Sequence, residues 1–148
     1  MPILWEDELF VVVHKRPPCG VVGHLQLLSK RHYQGPSSMT DTEAASVGLV
    51  LRKCERALER VTKCDRVYTA ALGSAKSGGH FHAHMVPLYV ESGPDEQAGT
   101  PPIEVTGTPF DVFLQEKLAA DRAPAAEADP DKCAAIAAAF TAEMAAEG

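Results

Sequence analysis

The sequence of 148 residues has only four cysteines, Cys19, Cys54, Cys64 and Cys133, and no C-x-x-C pair. This spacing excludes a zinc knuckle and a dense disulfide framework and leaves four reduced thiols as the reading. No apolar run approaches the ~18 residues a membrane span needs, so no membrane partner is expected. The stretch from Met1 to Glu8 lacks a basic region followed by an apolar one. A secretory signal is therefore not expected, and the cytoplasm is the expected compartment. Positive charge is in deficit, with 14 Lys and Arg against 20 Asp and Glu, and the net charge of −6 argues against a general nucleic-acid coat. No internal repeat is found. The remaining composition, 45% hydrophobic and 23% charged, is that of a folded globular chain.

The pattern predicts an α+β fold: antiparallel strands, one long amphipathic helix and a C-terminal helical extension. Leu9–His14 is a β-branched run that stops before Pro17-Pro18, and His24–Leu28 reads as its antiparallel partner. Thr40 and Glu43 form a capping box ahead of apolar positions Ala44, Val47, Val50, Leu51, Ala57, Leu58 and Val61. Their spacing predicts a helix over 41–61 with a charged outer face. Asp65–Leu72 reads as a third strand, 73–79 as a loop of small residues, and His80–Tyr89 as a fourth strand broken near Pro87. Residues 1–90 form the expected main domain and 91–108 a Pro/Gly-rich loop. Residues 109–148 form an acidic, Ala-rich helical extension. Within it, Phe110–Leu118 reads as a short helix, and Asp129-Pro130 as the N-cap and first residue of the last one. The stripe Cys133, Ile136, Ala137, Phe140 and Met144 is expected to dock on the domain.

Histidine is the informative residue type, since three of the six lie at His80, His82 and His84. Side chains on a strand alternate between faces, so the three imidazoles project from one face, while Phe81, Ala83 and Met85 turn to the core. Imidazole can attack as a nucleophile, move protons near neutral pH, ligate a metal or donate to an anion. Upstream, Ser77 offers a hydroxyl, Gly78 and Gly79 offer accessible backbone N–H groups, and Lys76 adds positive charge at the lip. Together they suit phosphoryl chemistry better than acyl transfer. A three-histidine metal site fits poorly, because i, i+2 and i+4 positions spread over roughly 13 Å of strand and no nearby carboxylate completes the set. Neither a metal nor a cofactor is expected.

The heptapeptide His80-Phe81-His82-Ala83-His84-Met85-Val86 resembles the His-φ-His-φ-His-φ-φ signature of the histidine triad family, where φ is apolar. Gly23–His32 is similar to that family's upstream Gly-His strand, and the order of elements agrees from Leu4 to Val90, so the resemblance implies a catalytic domain over 1–90 built on an antiparallel sheet of about five strands. The resemblance implies nucleotidyl chemistry on a purine nucleotide. His82 would be the nucleophile that attacks the α-phosphorus, and water would hydrolyse the covalent nucleotidyl-imidazole. His84 would contact phosphate and help protonate the leaving group, His80 and His24 would complete the hydrogen-bond network, and Ser77 would touch the phosphate or leaving group. The other nitrogen of His82 needs an acceptor that the sequence does not name. The family is mostly dimeric, so the resemblance also implies a homodimer built on the long helix and a central strand.

The chain departs from the family pattern at four places. His14 stands where Asp or Asn usually grips the ribose, and is either a ribose contact or a surface histidine. Thr69 replaces the usual Asn or Gln, Ser29 the usual Pro, and Leu88 a common basic residue. Charge divides along the chain: residues 1–90 carry 11 basic and 8 acidic side chains, a balance of +3, and residues 91–148 carry 3 and 12, a balance of −9. The triad-bearing part is thus mildly basic, as suits an anionic substrate.

Overall fold

A computed structural model describes residues 2–16, 21–71, 80–88 and 128–146. The expected loops at 73–79 and 91–108 and the expected helix at 110–118 lie outside the described residues. Five strands form one antiparallel sheet: β1 (Ile3–Glu6), β2 (Phe10–His14), β3 (Leu25–Ser29), β4 (Arg66–Ala70) and β5 (His82–Leu88), in the order β1-β2-β3-β5-β4. The helices are α1 (Asp41–Thr62) and α2 (Pro130–Ala146), with a 3₁₀ turn at Pro36–Ser38. The α+β architecture is as the sequence predicts. No helix among the described residues is long and apolar enough to cross a membrane.

β1 has no clear sequence signal, because it spans only four residues after Pro2 and already ends in the acidic run Glu6-Asp7-Glu8. Asp7 makes the hairpin: its Oδ1 accepts from the N–H groups of Leu9 and Phe10, each at 2.7 Å. Two expectations for the last strand are corrected. β5 begins at His82 rather than His80, and it continues through Pro87. Its ladder with β3 runs from Leu28↔His82 to Leu25↔Met85, so Pro87 lies past that ladder's end and its missing N–H interrupts no β3 rung. On its other side, β5 pairs with β4 as far as Arg66↔Leu88.

The core lies on one face of the sheet. Phe10, Val12, Leu25, Leu27, Phe81, Ala83 and Met85 are buried there against Val50, Cys54, Ala57 and Leu58 of α1. The capping box forms as the sequence predicts: Glu43 N–H donates to Thr40 Oγ1 at 3.2 Å and Thr40 N–H to Glu43 Oε2 at 2.8 Å. Arg31 clasps the same carboxylate through Nε at 2.9 Å and Nη2 at 2.8 Å, tying the end of β3 to the start of α1. Asp129 caps α2, accepting at Oδ1 from Asp131 N–H at 2.8 Å. From the predicted stripe, α2 sends Phe140 and Met144 fully into the core, a burial worth about 1.5–3 kcal/mol for each side chain. Thr141 Oγ1 donates to Leu4 O at 3.0 Å and Arg60 pairs with Glu143 at 3.6 Å, fastening α2 to β1 and α1.

Candidate active site

The reverse face of the sheet carries the histidines. β5 is flanked there by β3 and β4, so His84 has Gln26 on one side and Ala70 on the other, and His82 stands beside Leu28. Alternation along β5 sends Ala83 and Met85 to the core and leaves His82 and His84 on the opposite side, with Val86 in a small second cluster with Val21. The His82 and His84 rings meet edge-on with centroids 4.9 Å apart. His84 is buried, with 3% of its surface exposed.

Each ring is oriented by a specific bond. His82 Nδ1–H donates to the main-chain carbonyl of His80 at 3.1 Å, since a carbonyl can only accept. That bond fixes the neutral ring with its proton on Nδ1 and its lone pair on Nε2. The missing acceptor is thus the backbone of the first histidine of the row, a group no side-chain pattern reveals. His80 Nε2 in turn donates to the Ser29 carbonyl, and the His32 ring packs edge-on against His80 at 5.4 Å. His24 Nε2 and His84 Nδ1 share a hydrogen bond of 2.9 Å, and their rings lie 5.2 Å apart.

The segment that presents His80 and His82 is held at Phe81. Its N–H donates to Tyr33 O at 2.6 Å, and its ring stacks on Tyr33, which carries the Arg31 guanidinium 4.5 Å above its own ring. Ser29 N–H donates to Phe81 O at 3.3 Å, a bond that a proline at this position would forfeit.

Of the residues predicted from sequence, His24, His82 and His84 therefore meet ring to ring, and His80 joins them through its main-chain carbonyl while its own ring packs against His32. Ser77, Gly78, Gly79 and Lys76 lie outside the described residues. His14 is not brought into this group. In register it sits opposite Leu25, in phase with the buried Phe10 and Val12, on the core side of the sheet. Both its ring nitrogens hold main chain: Nδ1–H donates to Lys15 O at 3.1 Å and Nε2 accepts from Gly23 N–H at 3.0 Å. Burial lowers its pKa, with the Lys15 charge adding to that effect and the bond to the Lys15 carbonyl opposing it. Among the described residues, no group of three or more His, Cys, Asp or Glu is arranged to hold a metal ion.

No protein-family model and no curated protein matches the sequence, but solved structures match the fold. A histidine triad protein from Marinobacter aquaeolei VT8 superposes with a TM-score of 0.65 at 11% identity, covering 99% of this chain and 90% of that one. A hypothetical histidine triad nucleotide-binding protein from Sulfolobus tokodaii strain 7 gives 0.64 at 14% identity, covering 97% and 83%. A zinc-bound histidine triad family protein from Mycobacterium smegmatis gives 0.62 at 16%, covering 99% and 87%. The chain has the histidine triad fold.

Proposed function

We propose that this chain is a nucleotide hydrolase that cleaves a purine nucleoside phosphoramidate or dinucleoside polyphosphate at the α-phosphate, releasing a nucleoside monophosphate. The observation that carries this reading is the bond from His82 Nδ1–H to the His80 carbonyl at 3.1 Å. It leaves Nε2 as a neutral nitrogen with an available electron pair, which is what attack on phosphorus requires.

In the first step His82 Nε2 forms a bond to the α-phosphorus as the bond to the leaving amine or phosphate breaks. In the second, water attacks the same phosphorus and gives a proton back to His84, the phosphorus–nitrogen bond breaks, and Nε2 recovers its electron pair. On this reading His24 Nε2–H is the donor in the 2.9 Å bond to His84 Nδ1, so that His84 carries its own proton on Nε2 and passes it to the leaving group. His80 supplies the carbonyl that sets the His82 tautomer. Ser77, Gly78, Gly79 and Lys76 line the phosphate on this reading, which requires no metal. The enzyme acts in the cytoplasm as a homodimer using α1, where Leu49 is exposed on the outer face. Sedimentation should show a dimer, and a monomer at micromolar concentration contradicts the assembly.

The test is to incubate the protein with an adenosine phosphoramidate and with diadenosine polyphosphates, without added metal. Wild type should release AMP and His82→Ala should not. Wild type matching His82→Ala on both substrates defeats the hydrolase reading. In that case, retained AMP binding identifies a nucleotide-binding protein, and an adenylylated product with an added acceptor identifies a transferase.

A further inference from the structure

The Gly23-His24 segment is held at two points by His14 and Lys15, at the end of the strand beside it, and these two residues are bonded to each other. Gly23 N–H donates to His14 Nε2 at 3.0 Å, Lys15 N–H donates to His24 O at 2.7 Å, and Lys15 O receives His14 Nδ1–H at 3.1 Å. His14 and Lys15 therefore bracket the backbone on which His24 stands. A third contact closes the turn, since His24 N–H donates to Val21 O at 3.2 Å.

Gly23 is also closely packed. Its φ of +86° is one that only glycine adopts readily, and a Cβ there would stand 3.2 Å from both Pro87 Cγ and Thr62 Cγ2. Gly23 is thus bonded to the His14 ring and closely approached by the end of α1 and by β5. The neighbouring side chain, His24, turns to the opposite face and meets His84. A displacement of the Gly23 peptide moves His24 Nε2 against His84 Nδ1.

We infer that His14 is a positioning residue of the histidine site: from behind the sheet, its neutral imidazole holds the Gly23-His24 peptide and thereby sets the His24–His84 hydrogen bond. Two bonds of opposite sense define the tautomer, because Nδ1 must donate to a carbonyl and Nε2 must accept from an amide. Of the other neutral side chains, the amides of glutamine and asparagine also carry a donor and an acceptor of this kind. Burial of the ring favours the neutral form in which Nε2 can accept. His14 acts on the reaction through His24 without touching the substrate. A residue that grips the ribose contributes to substrate binding, whereas one that aligns a proton donor contributes to turnover.

The experiment compares wild type, His14→Leu and His14→Gln by imidazole ¹⁵N spectroscopy and by steady-state kinetics on an adenosine phosphoramidate. Glutamine returns an acceptor to the neighbourhood of Nε2, and leucine does not. In His14→Leu the His24 and His84 ring resonances should move, and kcat should fall about tenfold or more, because small misplacements of a catalytic group are that costly. KM should stay within about twofold, and His14→Gln should recover most of both the resonances and kcat. A raised KM with unchanged kcat, unmoved His24 and His84 resonances in a folded His14→Leu, or a glutamine variant no better than leucine would each overturn the inference. If His14→Leu does not fold, the wild-type spectrum decides: the His14 proton must lie on Nδ1, and a proton on Nε2 overturns it. The kinetic arm rests on the hydrolase reading and the spectroscopic arm does not. Absence of turnover in wild type therefore defeats that reading while the ring resonances still decide the role of His14.

Discussion

His82 Nδ1 donates to the carbonyl of His80, two residues away, at 3.1 Å. The first histidine of the row thus orients the second through its main chain, while its own ring is engaged with the Ser29 carbonyl. If Nε2 of His82 is the attacking atom, a covalent nucleotidyl-histidine must accumulate or pass through on that atom alone. Rapid quenching with α-³²P-labelled substrate should trap label on wild-type protein, stable in base and lost in acid as a phosphorus–nitrogen bond is. His82→Ala should carry no label and lose turnover by about 10⁴-fold or more.

Glu43 joins β3 to α1, and acid should undo the join. Hydrogen bonds from Arg31, then from the Thr40 backbone, pull its carboxyl from an ordinary 4.5 down to about 2. The folded-state pKa is depressed, so the stabilisation is complete above about pH 4.5 and is lost as pH falls toward about 2. Denaturation midpoints measured between pH 6 and 2 should show a falling limb that Glu43→Gln flattens. At neutral pH the variant should be the less stable protein, because Arg31 loses its charged partner.

The parts of this fold that were legible in the sequence are those set by local periodicity. The capping box at Thr40 and Glu43, the α1 stripe, the α2 stripe ending in Phe140 and Met144, and the alternation around His82 and His84 depend on spacing alone. What was not legible depends on the main chain or on a partner distant in sequence. The His80 carbonyl is a backbone atom, invisible to any search for a side-chain acceptor. His24 and His84 are sixty residues apart, and only the register Leu25↔Met85 brings them together. Pro87 looks like a strand breaker until the β3 ladder is seen to end before it. β1 is recognised by its partner β2 and by the Asp7 turn, not by its own four residues.

Two glycines should respond oppositely to alanine. At Gly23 the added methyl meets Pro87 and Thr62 at 3.2 Å with φ at +86°, so Gly23→Ala should cost about 1–3 kcal/mol. Gly48, inside α1, has nothing within 4 Å of an added Cβ, so Gly48→Ala should stabilise by about 0.4–1 kcal/mol. Urea denaturation of the two variants checks both signs, and equal effects would contradict the crowding at Gly23.

α2 is a structural member of the core as well as the end of the chain. Phe140 is fully buried among residues of the sheet and α1. Phe140→Ala should therefore destabilise by about 3–5 kcal/mol, as for a large aromatic removed from a packed interior. Thr141→Val, which removes the donor to Leu4 O, should cost about 0.5–1.5 kcal/mol. A Phe140→Ala protein as stable as wild type would mean that α2 does not dock as described.

The His24–His84 bond makes the sharpest kinetic prediction, because its effect must depend on the leaving group. If His24 Nε2–H is the donor to His84 Nδ1, the His84 proton sits on Nε2, where it can pass to a departing amine. An alkylamine cannot leave unprotonated, so His84→Ala should slow a phosphoramidate by about 10²–10⁴-fold. A nitrophenolate needs no proton, so the same variant should lose much less on a nitrophenyl ester of AMP. His24→Ala should follow the same order with smaller losses, since it removes the partner that sets the tautomer and leaves the donor in place. Rates for both variants on both substrates give four numbers. If His84→Ala slows the ester as much as the amide, His84 acts by holding phosphate rather than by giving up a proton.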